Sequence, residues 1–395
     1  MLDSIYIGMS GLSSFSKGLS NISGNVANLN TPGFKGSQLE FLDLFYRYQY
    51  SGSNQHNSSH ASGSGVEAGA SYVKFTQGEF RQTGNDLNVA IDGNGFFILN
   101  KEGKTFYTRS GQFAFDSSGF LTAREDGARV AGVVGGRTTE INISGRRSNP
   151  ALATSAIKFD DTLSVNSTDF DVANITAFDS LGKQHTFTLE LINDSANVPG
   201  RWTFELLEGA TQVATGEIRY NGSGEAVAGF ESTTFTYAPS GGANSTQITL
   251  DFSDSDYLSA SSSTLKVRTQ DGHAAGFLTK TSIDTDGFLN LSYSNGQSVR
   301  GGQLALASFS DLTALQAQGG NRFIVFGETG RSTISAPGGF ATGRLLAGGI
   351  ELSNVNLAQE FSELIIVQRA YQASSQVISA ANEMIQQLGE IRGRR

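Results

Sequence analysis

The 395-residue chain contains no cysteine, which excludes disulfides, thiol nucleophiles and Cys-ligated metals. Four histidines leave little material for imidazole-based metal or acid–base chemistry. Only 16% of the residues are charged, below the ~25% usual in soluble domains. The formal net charge of −9 argues against nucleic acid as a partner, because phosphate binding rests on clustered Lys and Arg. No apolar run approaches the ~20 residues of a membrane-spanning helix; the longest, at 95–99 and 364–367, are short. The N-terminus lacks the basic-then-apolar layout of a secretory signal. An exported form is therefore expected to keep its first residues.

Glycine is abundant instead, with 48 residues, and aromatics are plentiful, with 27 Phe and 11 Tyr. Disorder needs few aromatics, and collagen needs a strict glycine period. Neither describes this chain.

Both ends carry helical periodicity. Near the N-terminus, Ile5, Leu12, Phe15, Leu19, Ile22, Val26 and Leu29 recur at three- and four-residue steps, the spacing of a heptad seam. Thr31-Pro32-Gly33 ends the run, since a residue before proline is pushed out of the α region. Much of the remaining surface of 1–30 is Gly and Ser, and its only charges are Asp3 and Lys17. A solvated helix would carry Glu and Lys there, so this face is expected to pack closely against partners. At the C-terminus, Leu357, Phe361, Leu364, Gln368, Tyr371, Ser374, Ile378, Ala381, Ile385 and Leu388 form a second seam. Asn356 with Gln359 resembles a capping box at its start. The two ends, 1–30 and 356–395, are expected to be mates in a helical coiled-coil domain. Their seams are expected to be completed by neighbouring copies, with the ends ordering on assembly.

Between them the pattern is short strands punctuated by Gly and Asx turns, as at 87–91, 96–99, 185–192 and 247–252. The expected fold class is mainly β with terminal α-helices, built from nested discontinuous β domains. Residues 71–148 and 285–355 share an Asp-Gly and Gly-Phe style and read as an outer β domain. Residues 149–284, richer in Ser and Thr, read as an inserted central β domain. Residues 31–70 read as an extended linker, with a flexible, Ser-rich stretch at 46–65.

Candidate chemistry is sparse. His56 and His60 have helical metal-ligand spacing but lie in Ser/Gly-rich sequence without an intervening Glu base. Asp251, Asp254 and Asp256, or Asp284 with Asp286, suggest calcium but complete no calcium loop. Asx turns and strand ends explain them. No nucleophile elbow or P-loop occurs, and Trp202 reads as a core residue. The expectation is no catalytic residue, no metal and no cofactor. A β-rich glycosidase and a secreted adhesin remain as distant alternatives.

The ends also carry motifs. The run Asn21-Ile-Ser-Gly-Asn25-Val-Ala-Asn28-Leu-Asn-Thr31-Pro32-Gly33-Phe34-Lys35 resembles the N-terminal signature of bacterial flagellar rod and hook proteins. Ser353-Asn354 through Gln368-Arg369 and on to Leu388 resembles their C-terminal signature. The stretches at 75–97 and 106–113 look like the family's outer domain. The central insertion is similar to that of hook members, whereas the long stretch after Lys35 is a mark of distal-rod members.

The resemblance implies a structural polymer at the flagellar basal body and hook, outside the cell. Its partners would be further copies of itself, the distal rod, the hook cap and hook–filament junction proteins, and the type III export apparatus. Nucleic acid and membrane insertion are not implied. The hook reading implies a curved hollow tube that transmits torque and conducts exported subunits; the rigid distal rod is the alternative. Gln372, Ser375, Ser379, Asn382 and Gln386 would then be the lumen-facing side of the C-terminal helix.

Overall fold

The computed structural model describes residues 2–44, 46–49, 60–63, 65–134, 137–326 and 332–393. It is mainly β with a helix at each end, α1 (Leu2–Ala27) and α2 (Leu357–Gly393). The chain divides into two compact units. Residues 1–144, 281–290 and 300–395 form the first; residues 145–280 and 291–299 form the second.

In the first unit α1 and α2 lie antiparallel, with Gly8 against Ile378, Gly11 against Ser374 and Gly18 against Val367. The Gly/Ser face of α1 is therefore the pairing face. Gly8, Gly11, Ser14, Gly18, Ile22 and Asn25 are buried along it. A Cβ on Gly8 would stand 2.6 Å from Ile378 Cγ1 and 3.3 Å from the Ser374 carbonyl oxygen, so glycine is what lets the two backbones approach. Gly8→Leu gains helix propensity but wedges the pair apart. We expect a net loss of about 1–3 kcal/mol, read as an earlier far-UV circular dichroism melt. An unchanged melt would mean the helices are not in this contact.

This pairing takes up part of the α2 seam. Ile378 meets α1 and Leu364 is half-buried, but Leu357, Phe361, Tyr371, Ile385 and Leu388 are exposed. The physical reason is that α2 has apolar residues on more than one face. A glycine-lined partner takes the small members of that seam, Ser374 and Ala381, rather than its largest side chains. Asn356 caps α2 by accepting from the N–H groups of Ala358 and Gln359. The Gln359 side chain does not return the bond and instead donates to Glu363.

The linker expectation for 31–70 also fails. Strand Ser37–Asp43 pairs antiparallel with Val66–Val73, and Tyr46–Gln49 pairs with His60–Gly63. The first of these ribbons covers α1. Ser14 Oγ donates to the Val66 carbonyl, and Asn21 Nδ2 donates to that of Ser37. Small side chains such as Gly69, Ala70 and Ser71 hid the strand, because its stability comes from the helix beneath it rather than from its own apolar pattern. Residues 50–59 of the stretch expected to be flexible, with His56, lie outside the described residues.

The β core of the first unit gathers Phe96, Ile98, Ala131, Ala305, Ala307, Phe309, Leu315 and Phe323. Strands Phe96–Lys101 and Lys104–Thr108 form its central hairpin, flanked by Arg129–Val134, Leu306–Phe309 and Arg322–Val325. Phe75 lies edge-on to both Phe96 and Phe323.

The second unit has two four-stranded sheets. One is an antiparallel meander of Asp169–Phe178, Gln184–Asn193, Arg201–Glu208 and Thr211–Arg219. The other runs in the order Ser232–Tyr237, Thr246–Leu258, Ala156–Ser164, Lys266–Gln270, with one parallel pairing at its centre. Their inner faces share a core containing Phe159, Phe187, Trp202, Phe204 and Phe252. Three of the aspartates singled out in the sequence serve as turn acceptors or ion-pair partners. Asp284 accepts from the N–H groups of Asp286 and Phe288, Asp251 accepts from that of Ser253, and Asp254 pairs with Arg268.

A polar cluster sits at one edge of this core. His185 contacts Asp179 through Nε2 and Glu208 through Nδ1, and Tyr237 donates to Glu208. Burial pushes the Asp179 and Glu208 carboxyls up, but the hydrogen bonds they accept, first from His185, outweigh it and leave both below their ordinary values. A carboxyl with a depressed folded-state pKa stabilises above its unfolded pKa and loses that contribution as pH falls through the folded one. The second unit should therefore lose stability to denaturant below pH ~4, with Trp202 fluorescence as the readout. Asp179→Asn should flatten that acid limb; an unaltered profile would discount the cluster.

Candidate assembly surface

The N-terminal signature residues leave α1 and turn sharply into the ribbon. Gly33 makes the turn at φ +69, where a Cβ would stand 2.6 Å from the Ser110 nitrogen. Its N–H donates to the Glu351 carbonyl at 2.7 Å. Asn25 bonds Ser37 in both directions, accepting from its N–H at 2.9 Å and donating to its carbonyl at 2.8 Å. The same amide donates to Glu360 of α2 at 3.1 Å. Thr31 donates to the Asn28 side chain, closing the helix end. Asn354 accepts from the Gly36 N–H and donates to the carbonyls of Lys74 and Thr76.

Beneath these bonds lies a buried ion cluster. Lys35 Nζ is 2.5 Å from Glu351 Oε1, and both side chains are almost wholly excluded from solvent. Lys35 also donates to the Thr76 carbonyl, and the Gly78 N–H donates to the same Glu351 oxygen. Arg109 stands 3.7 Å from Glu351 Oε2, stacks over Phe96 and donates to the Gly93 carbonyl. Burial pushes the Lys35 ammonium and the Arg109 guanidinium below their usual values, with Glu351 opposing the shift. Glu360 is pushed up by burial against the Asn25 hydrogen bond, and the charge of Glu363 adds to the rise. Together these residues clasp both chain ends to the β core.

Outside the clasp, the helix pair is unusually apolar toward solvent. Ile366, Ala370, Ala373, Val377, Ala380, Met384 and Leu388 recur at three- and four-residue steps along α2, a second seam off the pairing face. Ile366 is 66% exposed and Val377, Met384 and Leu388 about half. On α1, Tyr6 and Met9 are exposed as well. Of the predicted N-terminal seam, Ile22 is buried, while Ile5, Leu12, Phe15, Leu19, Val26 and Leu29 are half-buried. Gln372, Ser375, Ser379, Asn382 and Gln386 are all exposed on α2. In contrast to the second seam, their row is polar and uncharged. Gln368 and Arg369 are exposed as well, and Ser353 accepts from the Val355 N–H.

Four segments match known families in chain order. Residues 5–35 match "Flagella basal body rod protein", 90–169 the "Flagellar hook protein FlgE/F/G D1 domain", 141–273 the "Flagellar basal body protein FlaE D2 domain", and 346–391 "Flagellar basal body rod FlgEFG protein C-terminal". The chain is 29% identical to the flagellar hook protein FlgE of Treponema pallidum over 467 aligned positions, covering 98% of both. It is 29% identical to FlgE of Salmonella typhimurium over 413 positions, covering 97% of this chain and 98% of that one. The chain belongs to the flagellar hook protein family. A crystal structure of Helicobacter pylori flagellar hook protein FlgE2 shares the fold, with a TM-score of 0.50 at 11% identity over 67% of this chain and 98% of that one.

The two terminal family segments are the two halves of the clasp. One contains Asn25 and Lys35, the other Glu351, Asn354 and Glu360. Glu351, Glu360 and Arg109 escaped the sequence reading as functional residues. A signal existed for Glu351: Lys35 between Phe34 and Gly36 reads as a buried cation, and a buried cation requires a carboxylate. Which carboxylate is a tertiary fact.

Proposed function

We propose that this hook-family chain is a structural subunit of the flagellar hook, polymerising through its helix pair into a hollow tube. The carrying observation is the second apolar seam of α2, exposed along the length of a helix that already has its in-chain mate. An amphipathic helix keeps an apolar row in water at a cost, and burial of each Val, Leu or Ile offsets roughly 1.5–3 kcal/mol. Neighbouring copies supply that burial. The charge-free polar row of Gln372, Ser375, Ser379, Asn382 and Gln386 faces the lumen in this reading, where it would hold unfolded cargo of neither sign. The distal rod, hook cap, junction proteins and export apparatus are its partners, and the chain leaves the cell by that apparatus with its N-terminus retained. The hook is favoured over the distal rod because the relatives matched at nearly full length carry the hook name.

Electron microscopy tests the proposal. Purified full-length protein under polymerising conditions should give tubes, and protein lacking α1 and α2 should stay monomeric. Monomer in both cases, or an activity retained without the helices, would refute it.

A further inference from the structure

Three Asn-Gly steps occur in the chain, at 94–95, 221–222 and 295–296. Asparagine before glycine carries a latent reaction. The glycine nitrogen can attack the asparagine side-chain carbonyl carbon, and with no Cβ beside it that nitrogen is open to approach. What holds the two groups decides whether it does.

Two of the steps are tied. Asn221 accepts through Oδ1 from the N–H groups of Ser223 at 2.8 Å and Glu225 at 3.0 Å, and donates through Nδ2 to the Glu225 carboxylate. Asn295 accepts from the Gln297 N–H and donates to the Ala274 carbonyl at 2.8 Å. The nucleophile there is tied as well, because the Gly296 N–H donates to the Tyr293 carbonyl at 3.0 Å.

Asn94 differs. It is exposed in the turn between the strands Val89–Asp92 and Phe96–Lys101. Among the described residues, neither its side chain nor the Gly95 N–H is engaged in a hydrogen bond. The Asp92-Gly93 step just before it is held by Gln77, which donates to the Asp92 carboxylate and accepts from the Gly93 N–H at 3.0 Å. The main chain of the turn is fixed too. The Gly93 carbonyl accepts from Arg109 at 2.9 Å, and that of Asn94 from the Gly343 N–H at 2.6 Å. Only the Asn94 side chain is loose.

We propose that Asn94 is a site of spontaneous deamidation, which makes this turn a slow chemical clock on the first unit. The Gly95 nitrogen bonds to Asn94 Cγ, the Cγ–Nδ2 bond breaks, and Nδ2 leaves as ammonia with the proton that Gly95 gives up. Water then opens the five-membered imide. Opening at the main-chain carbonyl yields isoaspartate, whose backbone runs through Cβ and Cγ and is one atom longer. That atom enters two residues before Phe96, which is buried against Phe75, Phe309 and Phe323 with Arg109 over its ring. The longer backbone cannot keep both the turn's bonds and the Phe96 packing, so ageing at Asn94 loosens the core beneath the clasp.

Peptide mapping by mass spectrometry of the full-length protein, after prolonged incubation in neutral buffer, tests the proposal. In the folded protein the gain of one mass unit should appear at Asn94 roughly ten-fold or more faster than at Asn221 or Asn295, since their ties must break before attack. In urea the three rates should converge. Asn94→Gln, whose longer side chain closes a six-membered ring far more slowly, should remove the fast site and leave the other two unchanged. The helical signal of aged protein should melt earlier while Trp202 holds its transition, and aged Asn94→Gln should melt as when fresh. Equal rates at the three positions in folded protein, or a preference for Asn94 that survives in urea, would overturn the assignment. An aged and modified sample that melts as before would overturn the link to the core.

Discussion

Val377→Asp is expected to abolish tube formation while leaving the monomer as stable as before. Val377 is 45% exposed and lies mid-way along the second seam, away from the row that meets α1. In the monomer the substitution replaces one solvated side chain with another, and surface changes of this kind stay within about 0.5 kcal/mol. In the polymer the same position is buried, by the reading above. Each copy would lose the valine's burial, roughly 1.5–3 kcal/mol, and would also bury an unpaired carboxylate, which costs several kcal/mol more. Repetition in every copy makes the loss cumulative. Sedimentation and electron microscopy read the assembly, and a far-UV melt reads the fold. Normal tubes from the variant would show that the second seam is not an interface. A collapsed melt would show that Val377 supports the monomer itself.

How far the sequence disclosed this arrangement differs from element to element. The helices were legible because their period runs through many turns and ends on Pro32 at one side and starts on Asn356 at the other. The Gly/Ser face of α1 correctly signalled close packing, since nothing else explains so little charge on a helix. What it could not disclose was the partner. Three- and four-residue steps run one seam through Phe361, Tyr371 and Leu388 and through Ser374 and Ala381 alike. Only the backbone approach at Gly8 and Gly11 chooses between them. The ribbon over α1 was hidden for a related reason, as Gly69, Ala70 and Ser71 are strand residues by tertiary support and loop residues by composition. Asn25 and Lys35 were visible as a motif, yet their task was not. Lys35 and Glu351 are 316 positions apart in the chain, and no local pattern couples them.

That coupling carries the other large effect. Glu351→Gln keeps the shape of the side chain and removes its charge, leaving the Lys35 ammonium 2.5 Å from a neutral group and Arg109 without its nearby carboxylate. Breaking a buried ion pair from one side costs about 3–5 kcal/mol, because the surviving charge stays desolvated. Three groups share the site here, so the effect should lie toward the upper end. The loss should be confined to the first unit. Trp202 is the chain's single tryptophan and sits in the core of the second. Its fluorescence transition in urea should hold its midpoint while the helical signal at 222 nm melts earlier. Lys35→Met should cost a similar amount alone, and Glu351→Gln/Lys35→Met less than the two separately, since the double variant leaves one fewer stranded charge. Simple additivity would mean that the two residues act independently and that the clasp is a set of unrelated contacts. Sub-additive loss, with the Trp202 transition unmoved, would establish it as one cooperative joint between both chain ends and the β core. A tube subunit whose helices carry load into its β part requires such a joint.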